Sequence, residues 1–551
     1  MKKIIFILGL AAVVLGTSCS DVLDLNPADR FSPATVWSTT TTADKYVIGL
    51  YSIFGANTEM RGGDAYASPR LSDAYSDILK STSWSQYNHN FNATLLQETA
   101  FNSNSAGAFE CWSSHYDRIR RENEFLRDAA EFGRKFGEDW LKIRIAEVRF
   151  CRAYAYFMLC RVYGGVILRT EVDGPEQNDK ARSTEEECWG FIINELKELA
   201  PDLPLKWDSD NSGRATQKAA YGLLSRVALY AEKWDVAAQA ARDCATAEGN
   251  LDLSKNGYAK IFELGINSPE VLFAVEFKSS VIDHAYDAYV RPSGDTKELG
   301  KQVYSGFVPT SELVDSYEMA GDGGNFSWEK HGKDPYANRE PRFYATILYN
   351  GADWMGRKIE SFVGGKDGYK AYENAGAAGT TVTGYYLRKY LIDGDKTWVT
   401  SGSGQDWIVL RYAEVLLNKA EALAMENWNK NSAEALQALN DVRARVGLPA
   451  RATADKETFL EYVRHERKVE LAGEGFRYWD LRRWRLAEKV IDGQNVHGVK
   501  ISKQSDGSFT YEQVDADGGH KRIFYDRYYR FAIPLSERSN NSLCTNNDGW
   551  I

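Results

Sequence analysis

A helical pattern of small and aromatic residues reads Ile145-Ala-Glu-Val-Arg-Phe-Cys-Arg-Ala-Tyr-Ala-Tyr-Phe-Met-Leu-Cys-Arg-Val-Tyr-Gly-Gly165. Its apolar residues recur at three- and four-residue spacing, which is the period of an α-helix that buries one face. The pattern continues, after a break, in residues 184–199, which we interpret as a partner helix. The two segments together predict one packed helix pair.

Three further segments repeat this helix-pair pattern. They are residues 215–231 with 234–247, 411–425 with 432–446, and 456–473 with 477–491. A helix pair that buries its apolar face only by stacking on the next pair is typical of the tetratricopeptide repeat (TPR). The predicted fold class is therefore mostly α, with a TPR-like helical-repeat frame that forms an α-α superhelix.

A segment of different composition interrupts this frame between residues 251 and 410. It is rich in Gly, Tyr, Trp, Asn and Asp, and only short pieces such as 271–277 and 344–349 have the composition of strands. Long loops on a rigid frame are where binding residues concentrate. We therefore expect residues 41–250 to hold helix pairs one and two with binding loops. Residues 251–410 form a loop-rich, strand-poor insert, and 411–551 hold pairs three and four with a C-terminal segment.

The composition is that of a globular protein with an acidic surface. Of 551 residues, 43% are hydrophobic and 26% are charged, which is enough apolar material for a core. The formal net charge of −10 argues against nucleic-acid binding, where basic patches supply most of the affinity. Six cysteines follow Cys19 without metal-ligand spacing or an evident disulfide pairing, and we expect Cys151 and Cys160 to be small buried residues.

The N-terminus has the order of a secretory signal peptide. Lys2 and Lys3 precede an apolar run that ends in small residues and Cys19. A Cys in this place resembles a bacterial lipobox, although Gly16 stands where that motif usually has Leu. We predict removal of residues 1–18, a lipid on Cys19, and a leash over residues 19–40. The alternative is an ordinary signal peptide with an incidental Cys.

Nothing in the sequence indicates catalysis, a cofactor or a metal site. The seven histidines form no HExxH motif, and no GxSxG elbow or glycine-rich phosphate loop is present. A glycosidase needs two carboxylates across a cleft, but a chain with 77 acidic residues always offers such a pair. We interpret the charge-dense segments 339–342, 466–470 and 477–483 as ion pairs that brace neighbouring repeats.

Several motifs, taken in order, resemble the SusD/RagB family of outer-membrane nutrient-uptake lipoproteins over nearly the whole chain. The motifs are Cys19-Ser-Asp-Val-Leu-Asp-Leu-Asn-Pro27, Arg149-Phe-Cys-Arg-Ala-Tyr-Ala-Tyr-Phe157 with Tyr163-Gly-Gly165, Asp334-Pro-Tyr-Ala-Asn-Arg-Glu-Pro-Arg-Phe343, Arg411-Tyr-Ala-Glu-Val-Leu-Leu-Asn-Lys-Ala-Glu-Ala422, Glu466-Arg-Lys-Val-Glu-Leu-Ala-Gly-Glu-Gly-Phe-Arg-Tyr-Trp-Asp-Leu-Arg-Arg483 and Asn546-Asn-Asp-Gly-Trp550. The resemblance implies a non-enzymatic protein that binds glycans at the cell surface. It also implies a partner, a TonB-dependent transporter of the SusC type, on which such proteins sit as a lid.

Sugar binding requires aromatic faces beside directional polar groups. A sugar ring stacks its C–H face on Trp or Tyr, and its hydroxyls bond Asn, Asp, Gln or Arg. The segment 81–91 supplies both kinds of residue, and its best candidates are Trp84, Tyr87 and Asn88. Asp73 and Arg70 nearby could bond sugar hydroxyls or cap a turn.

The resemblance also points to the insert as the second part of the binding pocket. The candidates there are Tyr304, Trp328 and Trp354. Each of these aromatic residues could instead belong to the core, since aromatics are 13% of the chain.

Two other functions remain open at this point. A TPR scaffold that assembles outer-membrane machinery would explain the repeats but would leave the insert without a role. A hydrolase would need a carboxylate pair that the sequence does not single out.

Overall fold

The computed structural model describes residues 32–56, 59–60, 71–82, 101–174, 179–254, 256–321, 323–372 and 380–550. The helices in these ranges are α1 (Pro33–Val36), α2 (Thr40–Leu50), α3 (Ser52–Ala56), α4 (Trp112–Phe132), α5 (Glu138–Tyr163), α6 (Glu185–Leu199), α7 (Gln217–Tyr230), α8 (Trp234–Thr246), α9 (Gly257–Leu264), α10 (Tyr286–Val290), α11 (Asp295–Leu299), α12 (Ser311–Val314), α13 (Trp328–His331), α14 (Pro341–Thr346), α15 (Trp398–Ser401), α16 (Tyr412–Arg445), α17 (Lys456–Glu470), α18 (Arg477–Arg483), α19 (Ala487–Ile491) and α20 (Leu535–Asn540).

The strands are short and pair two by two, always antiparallel. They are β1 (Leu79–Ser81), β2 (Val271–Val275), β3 (Phe307–Pro309), β4 (Ile347–Leu348), β5 (Asp353–Trp354), β6 (Arg357–Lys358), β7 (Tyr386–Leu387), β8 (Trp407–Arg411), β9 (His497–Lys503) and β10 (Phe509–Asp515). The pairs are β1 with β3, β2 with β8, β4 with β7, β5 with β6, and β9 with β10. Most of them lie in the insert, which is strand-poor as predicted.

The helical frame agrees with the prediction. Successive helices pack on one another in the series α5–α6, α6–α7, α7–α8, α8–α16 and α16–α17. The first two predicted pairs have nearly the observed bounds. The helix-repeat architecture is therefore confirmed, and its period alone was enough to find it.

Local signals set the helix ends. Thr184 forms a capping box with Glu187 at the start of α6, which satisfies two otherwise free backbone N–H groups. At the end of α5, Gly164 adopts a φ of 76°. A Cβ on Gly165 would lie 2.4 Å from the carbonyl oxygen of Ser183, so the Gly-Gly pair allows the turn toward α6.

The third helix pair forms one span, α16, whose backbone is kinked in the middle. Asn427, within α16, has φ −165° and ψ 93°, which are not helical values. Its side-chain oxygen accepts the N–H of Lys430 at 3.2 Å, as an N-cap residue does at the start of a helix. The pair predicted at 411–425 and 432–446 is thus two helices that meet at Asn427.

The frame continues directly across the insert. Arg226 of α7 makes a buried ion pair with Glu414 of α16 (2.6 Å), and Arg242 of α8 pairs with Glu434 (2.7 Å). The antiparallel strands β2 and β8, with Val275 opposite Trp407, bring the two ends of the insert together. The insert is therefore a branch from an uninterrupted stack of helices.

The charge-dense segments 339–342 and 466–470 contribute to one buried ion-pair network, whereas segment 477–483 forms separate buried pairs such as Arg483 with Glu421. Arg342 pairs with Glu340, Glu466 and Glu470. The remaining members are Arg411, Arg443, Arg445 and Lys389 with Glu270, Glu318 and Glu474. Arg339 differs from the prediction, because its guanidinium donates to the carbonyl oxygens of Val314, Tyr317 and Pro335 and not to a carboxylate.

Some elements differ from the sequence-based expectations. The segment 344–349 is half helix and half strand, because Pro341 starts α14 at a position that favours proline. Helix α4 and the β9–β10 hairpin were not predicted. The buried face of α4 includes His115, Glu122 and Asn123, which conceal its helical pattern.

The structure describes residues 32–40 of the predicted leash (19–40), and these contribute to the folded body. Within it, α1 and Trp37 belong to the folded body, and Trp37 is 2% exposed with its ring centroid 4.9 Å from that of Phe125. The six cysteines from Cys111 to Cys544 are unpaired and buried, so Cys151 and Cys160 are packing residues as expected. In the part of the chain that the structure describes, no helix has both the length and the apolar character needed to cross a bilayer.

Candidate functional site

The structure describes only some of the residues predicted to bind glycan. Asp73, Tyr304, Trp328 and Trp354 lie in the described ranges. Outside them are Cys19, Arg70, Trp84, Tyr87 and Asn88.

Strand β1 is the last described element before the segment of sequence that contains Trp84. It pairs with β3 of the insert, with Leu79 opposite Pro309 and Ser81 opposite Phe307. Beyond the strand, the N–H of Thr82 donates to the carbonyl oxygen of Gly306 at 3.0 Å. Thr82, the last described residue before Trp84 in the sequence, therefore contacts the insert two residues from Tyr304.

Tyr304 is half-buried beside a second tyrosine. Its ring centroid is 4.8 Å from that of Tyr289. Its backbone N–H donates to Ala288, and that of Gly306 donates to Tyr289, at 2.7 and 2.6 Å. Tyr289 itself is buried (4% exposed), so only the half-buried ring of Tyr304 offers an apolar face and a hydroxyl group to a sugar ring.

The backbone at this place is strained. Ser305 has a φ of 47°, in the left-handed region that a non-glycine residue enters at a cost. Its hydroxyl donates to the carbonyl oxygen of Arg291 at 3.0 Å, which holds the turn. Such strain persists only where the surroundings impose it, and it is common at ligand-binding segments.

Arg291 is held by several buried contacts beside the segments that carry the two tyrosines. We call Arg291 with these contacts the rigid base of the tyrosine pair. It is fully buried, and its Nε donates to Asp287 at 2.8 Å. Its guanidinium lies 5.2 Å from the ring centroids of both Trp354 and Trp398. Trp398 belongs to the same small apolar cluster as Tyr289, and Tyr304 packs against that cluster.

Trp354 supports this base and does not face solvent. It is 0% exposed, and its indole N–H donates to Asp295 at 3.0 Å. A sugar at the surface therefore has no access to its ring. The prediction of Trp354 as a stacking platform is corrected to a role in the core, which was the alternative for every aromatic residue.

Asp73 caps a turn. Its carboxylate accepts the backbone N–H groups of Gly473, Gly475 and Arg477 at 2.9, 3.1 and 2.9 Å, and the residue is 0% exposed. Contact with sugar hydroxyls is excluded for a side chain in this position. The turn-capping alternative is the one that the structure supports.

A second carboxyl group lies near Asp73. Burial, together with the charge of Asp73, raises the pKa of Glu59, although Ser72 donates two hydrogen bonds to Glu59. Burial also raises the pKa of Asp73 in spite of its three N–H donors. The two groups therefore favour a protonated form at neutral pH more than ordinary carboxyls do.

Trp328 packs beside the β9–β10 hairpin. It is half-buried at the start of α13, its N–H donates to Asp315 at 2.9 Å, and its ring is 6.0 Å from that of Tyr511 in β10. It remains a candidate for a separate contact.

A cavity of about 490 Å³ was not predicted from the sequence. Tyr258, Phe262, Tyr344 and Tyr390 line it together with Arg388. Its volume is in the range of small-molecule pockets. The lining comes from five separate segments, so no local sequence signal could have found it. Among the described residues, no group of three or more His, Cys, Asp or Glu could hold a metal ion.

The fold is thus a helical-repeat frame that carries an aromatic, loop-rich insert. The chain belongs to the SusD family, whose model matches residues 269–550. A second family model, described as starch-binding associating with outer membrane, matches residues 21–229.

Individual proteins agree with this assignment. A SusD-like protein of Bacteroides ovatus is 25% identical over 547 residues, which cover 94% of this chain and 90% of the relative. The crystal structure of a SusD-like protein from Bacteroides fragilis has a TM-score of 0.80 at 27% identity and covers 94% of this chain and 98% of that one. A SusD-like carbohydrate binding protein from the same species has a TM-score of 0.76 at 24% identity, with coverage of 92% and 99%.

Proposed function

We propose that the protein is a surface-exposed glycan-binding lipoprotein of the outer membrane. It captures oligo- or polysaccharide and delivers it to a TonB-dependent, SusC-like transporter. The observation that carries the proposal is membership of the SusD family. The carbohydrate-binding relative of the same fold supports it.

The proposed binding surface combines Tyr304, which packs on the buried Tyr289, with the segment of the chain that follows Thr82. Tyr304 would stack on a sugar ring from the insert, while Trp84, with Tyr87, Asn88 and Arg70, would complete the contact. The rigid base around Arg291 supports this assignment, since a preorganised aromatic surface loses little entropy on binding. The protein binds sugar without cleaving it in this proposal.

A titration against a panel of plant, microbial and host polysaccharides tests the binding function. We expect one glycan class to bind, and Trp84→Ala and Tyr304→Ala to weaken it at least about tenfold, as loss of an aromatic anchor does. Tyr221→Ala is the matched control, since Tyr221 is a half-buried tyrosine on helix α7 of the frame. Absence of binding to every glycan, or equal loss in all three variants, contradicts the proposal and favours the scaffold alternative.

The anchor and the partner are tested separately. Cys19→Ala should move the protein from the membrane fraction to the soluble fraction, because a lipid chain supplies the attachment. The protein that keeps Cys19 should co-purify from detergent-solubilised membranes with a TonB-dependent barrel. Unchanged membrane retention of the variant contradicts the anchor, and recovery of the protein alone contradicts the transporter partner.

A further inference from the structure

A small cavity of about 100 Å³ with an excess of positive charge lies where the first and fourth helix pairs pack together. We call it the arginine cavity. The arginines that line it are Arg161, Arg482, Arg483, Arg485 and Arg530, and the acidic residues are Glu185 and Glu232.

Carboxylates neutralise only part of this charge. Arg483 pairs with Glu421 at 2.5 Å, and Arg530 pairs with Glu185 at 2.6 Å. Arg485 approaches Asp526 only to 3.9 Å, with both side chains mostly exposed, and such a pair contributes little.

Arg161 and Arg482 have no carboxylate within 4.0 Å in the described ranges. Arg482 is 5% exposed, and it donates to the backbone oxygens of Arg161 and Tyr529 at 3.4 and 2.9 Å. The Nε atoms of both arginines are buried without a hydrogen-bond partner. Both guanidinium groups lie over the ring of Trp479, at 4.0 and 4.7 Å from its centroid.

Two neighbouring cations in an apolar setting are costly unless an anion joins them. Burial lowers the pKa of Arg482 to about 10, and the charges of Arg530 and Arg161 contribute to the same effect. The guanidinium fork matches the oxygens of a carboxylate or a sulfate, so either group in the cavity would compensate the charges of these two arginines.

A second cavity of about 220 Å³ adjoins the first. We call it the tryptophan cavity, because the half-buried Trp234 and Trp484 line it. Glu232 and Arg485 line both cavities, with φ values of 55° and 54° in the left-handed region. These two strained residues lie at the boundary between the cavities, so the surrounding helices fix the geometry there.

We infer that the helical-repeat frame carries a site for an acidic saccharide, separate from the surface around Tyr304. The acidic group lies against Arg161 and Arg482 in the arginine cavity, and the sugar ring stacks in the tryptophan cavity. The exposed carboxylate of Glu232 accepts hydrogen bonds from the hydroxyls. The choice of a saccharide rests on the proposed function, whereas the anion site follows from the arginines alone.

Thermal unfolding and calorimetric titration of the whole protein test this inference with three probes: galacturonate, galactose and inorganic sulfate. Galactose has a hydroxymethyl group where galacturonate has a carboxylate, so it is the neutral control. We expect galacturonate to bind and to raise Tm. Galactose at equal concentration should show no binding and should leave Tm unchanged. Stabilisation by sulfate without binding of galacturonate overturns the saccharide assignment, and no response to either anion overturns the site.

Variants separate the two cavities. Arg161→Gln and Arg482→Gln should weaken the binding of galacturonate at least tenfold. Trp234→Ala should weaken the binding of galacturonate but not the binding of sulfate. Arg120→Gln is the control, because Arg120 is an exposed arginine on α4. An equal response in this control overturns the inference.

Two further measurements exclude a purely structural role. Without ligand, Arg161→Gln should leave Tm unchanged or raise it, since the substitution removes repulsion between like charges. A marked fall in Tm assigns Arg161 to structure and overturns the inference. Trp84→Ala and Tyr304→Ala should leave galacturonate binding unchanged, so failure of this site and failure of the proposed glycan surface are distinguishable.

Discussion

The carboxylate of Asp73 joins two parts of the chain that are 400 residues apart in sequence, because it accepts N–H groups from the turn after α17. Glu59 lies beside the same turn, and a Cβ on Gly475 would meet its carboxylate at 2.3 Å. A change in the protonation of this pair therefore acts on the contact between the N-terminal region and the fourth helix pair.

The raised pKa values of Glu59 and Asp73 predict a pH-dependent stability. The folded protein binds more protons than the unfolded chain between the ordinary carboxyl pKa and the raised values, so stability falls as pH rises from about 5 to about 8. Each unit of raised pKa corresponds to about 1.4 kcal/mol. Glu59→Gln should flatten the slope in urea titrations at pH 5, 6, 7 and 8. An unchanged slope contradicts the coupling.

Gly165 has a steric role that substitution can measure. Its Cβ would lie 2.4 Å from a backbone oxygen that cannot move freely, so Gly165→Ala should destabilise the protein by about 1–3 kcal/mol. Gly190→Ala in α6 is the control, since nothing lies within 4 Å of its Cβ position and alanine favours a helix by about 1 kcal/mol. Chemical denaturation should show a lower free energy of unfolding for Gly165→Ala and a higher one for Gly190→Ala. Equal effects contradict the steric account.

At the scale of elements, the buried ion-pair network ties helices α16 and α17 to the insert. Burial alone would raise the pKa of Glu470, but Arg445, Arg411 and Arg342 hold it well below its usual range. Arg411 bonds Glu270, Glu470 and Glu474, so it joins β8, β2 and the turn after α17. The network therefore gives the insert a definite orientation on the frame.

Removal of one arginine from this network should be severe. Arg411→Met leaves three buried carboxylates without their shared partner, which costs about 3–5 kcal/mol. Arg120→Met removes an exposed i,i+4 pair with Glu124 and should cost less than about 1 kcal/mol. Urea denaturation of both variants is the measurement, and a similar loss in each contradicts the importance of burial.

At the scale of the whole molecule, the helices that precede the insert pack directly against the helix that follows it. Helices α7 and α8 bury their faces against α16, and one apolar core includes residues from both halves of the chain. A fragment of residues 32–249 exposes that face and leaves Arg226 without Glu414. It should lack a cooperative thermal transition by circular dichroism, whereas residues 32–550 should unfold cooperatively. A cooperative transition in the fragment contradicts a shared core.

Much of the frame was readable from sequence, because a helix that buries one face repeats its apolar residues every 3.6 positions. The pattern around Arg149–Phe157 and the charged segment 466–470 predicted helices and ion pairs that the structure contains. Helix α4 was missed because its buried face carries polar residues.

Sequence by itself determined the helix pairs, the family and the types of residue suited to a sugar, since these depend on local spacing and chemistry. Tertiary structure alone decided which of those residues reach the surface. Trp354 and Asp73 have the chemistry of a sugar site, yet packing against Arg291 and the turn at Gly473 removes them from solvent. Arg161 and Arg482 are 321 positions apart, and only the stacking of the first and fourth helix pairs brings their charges together.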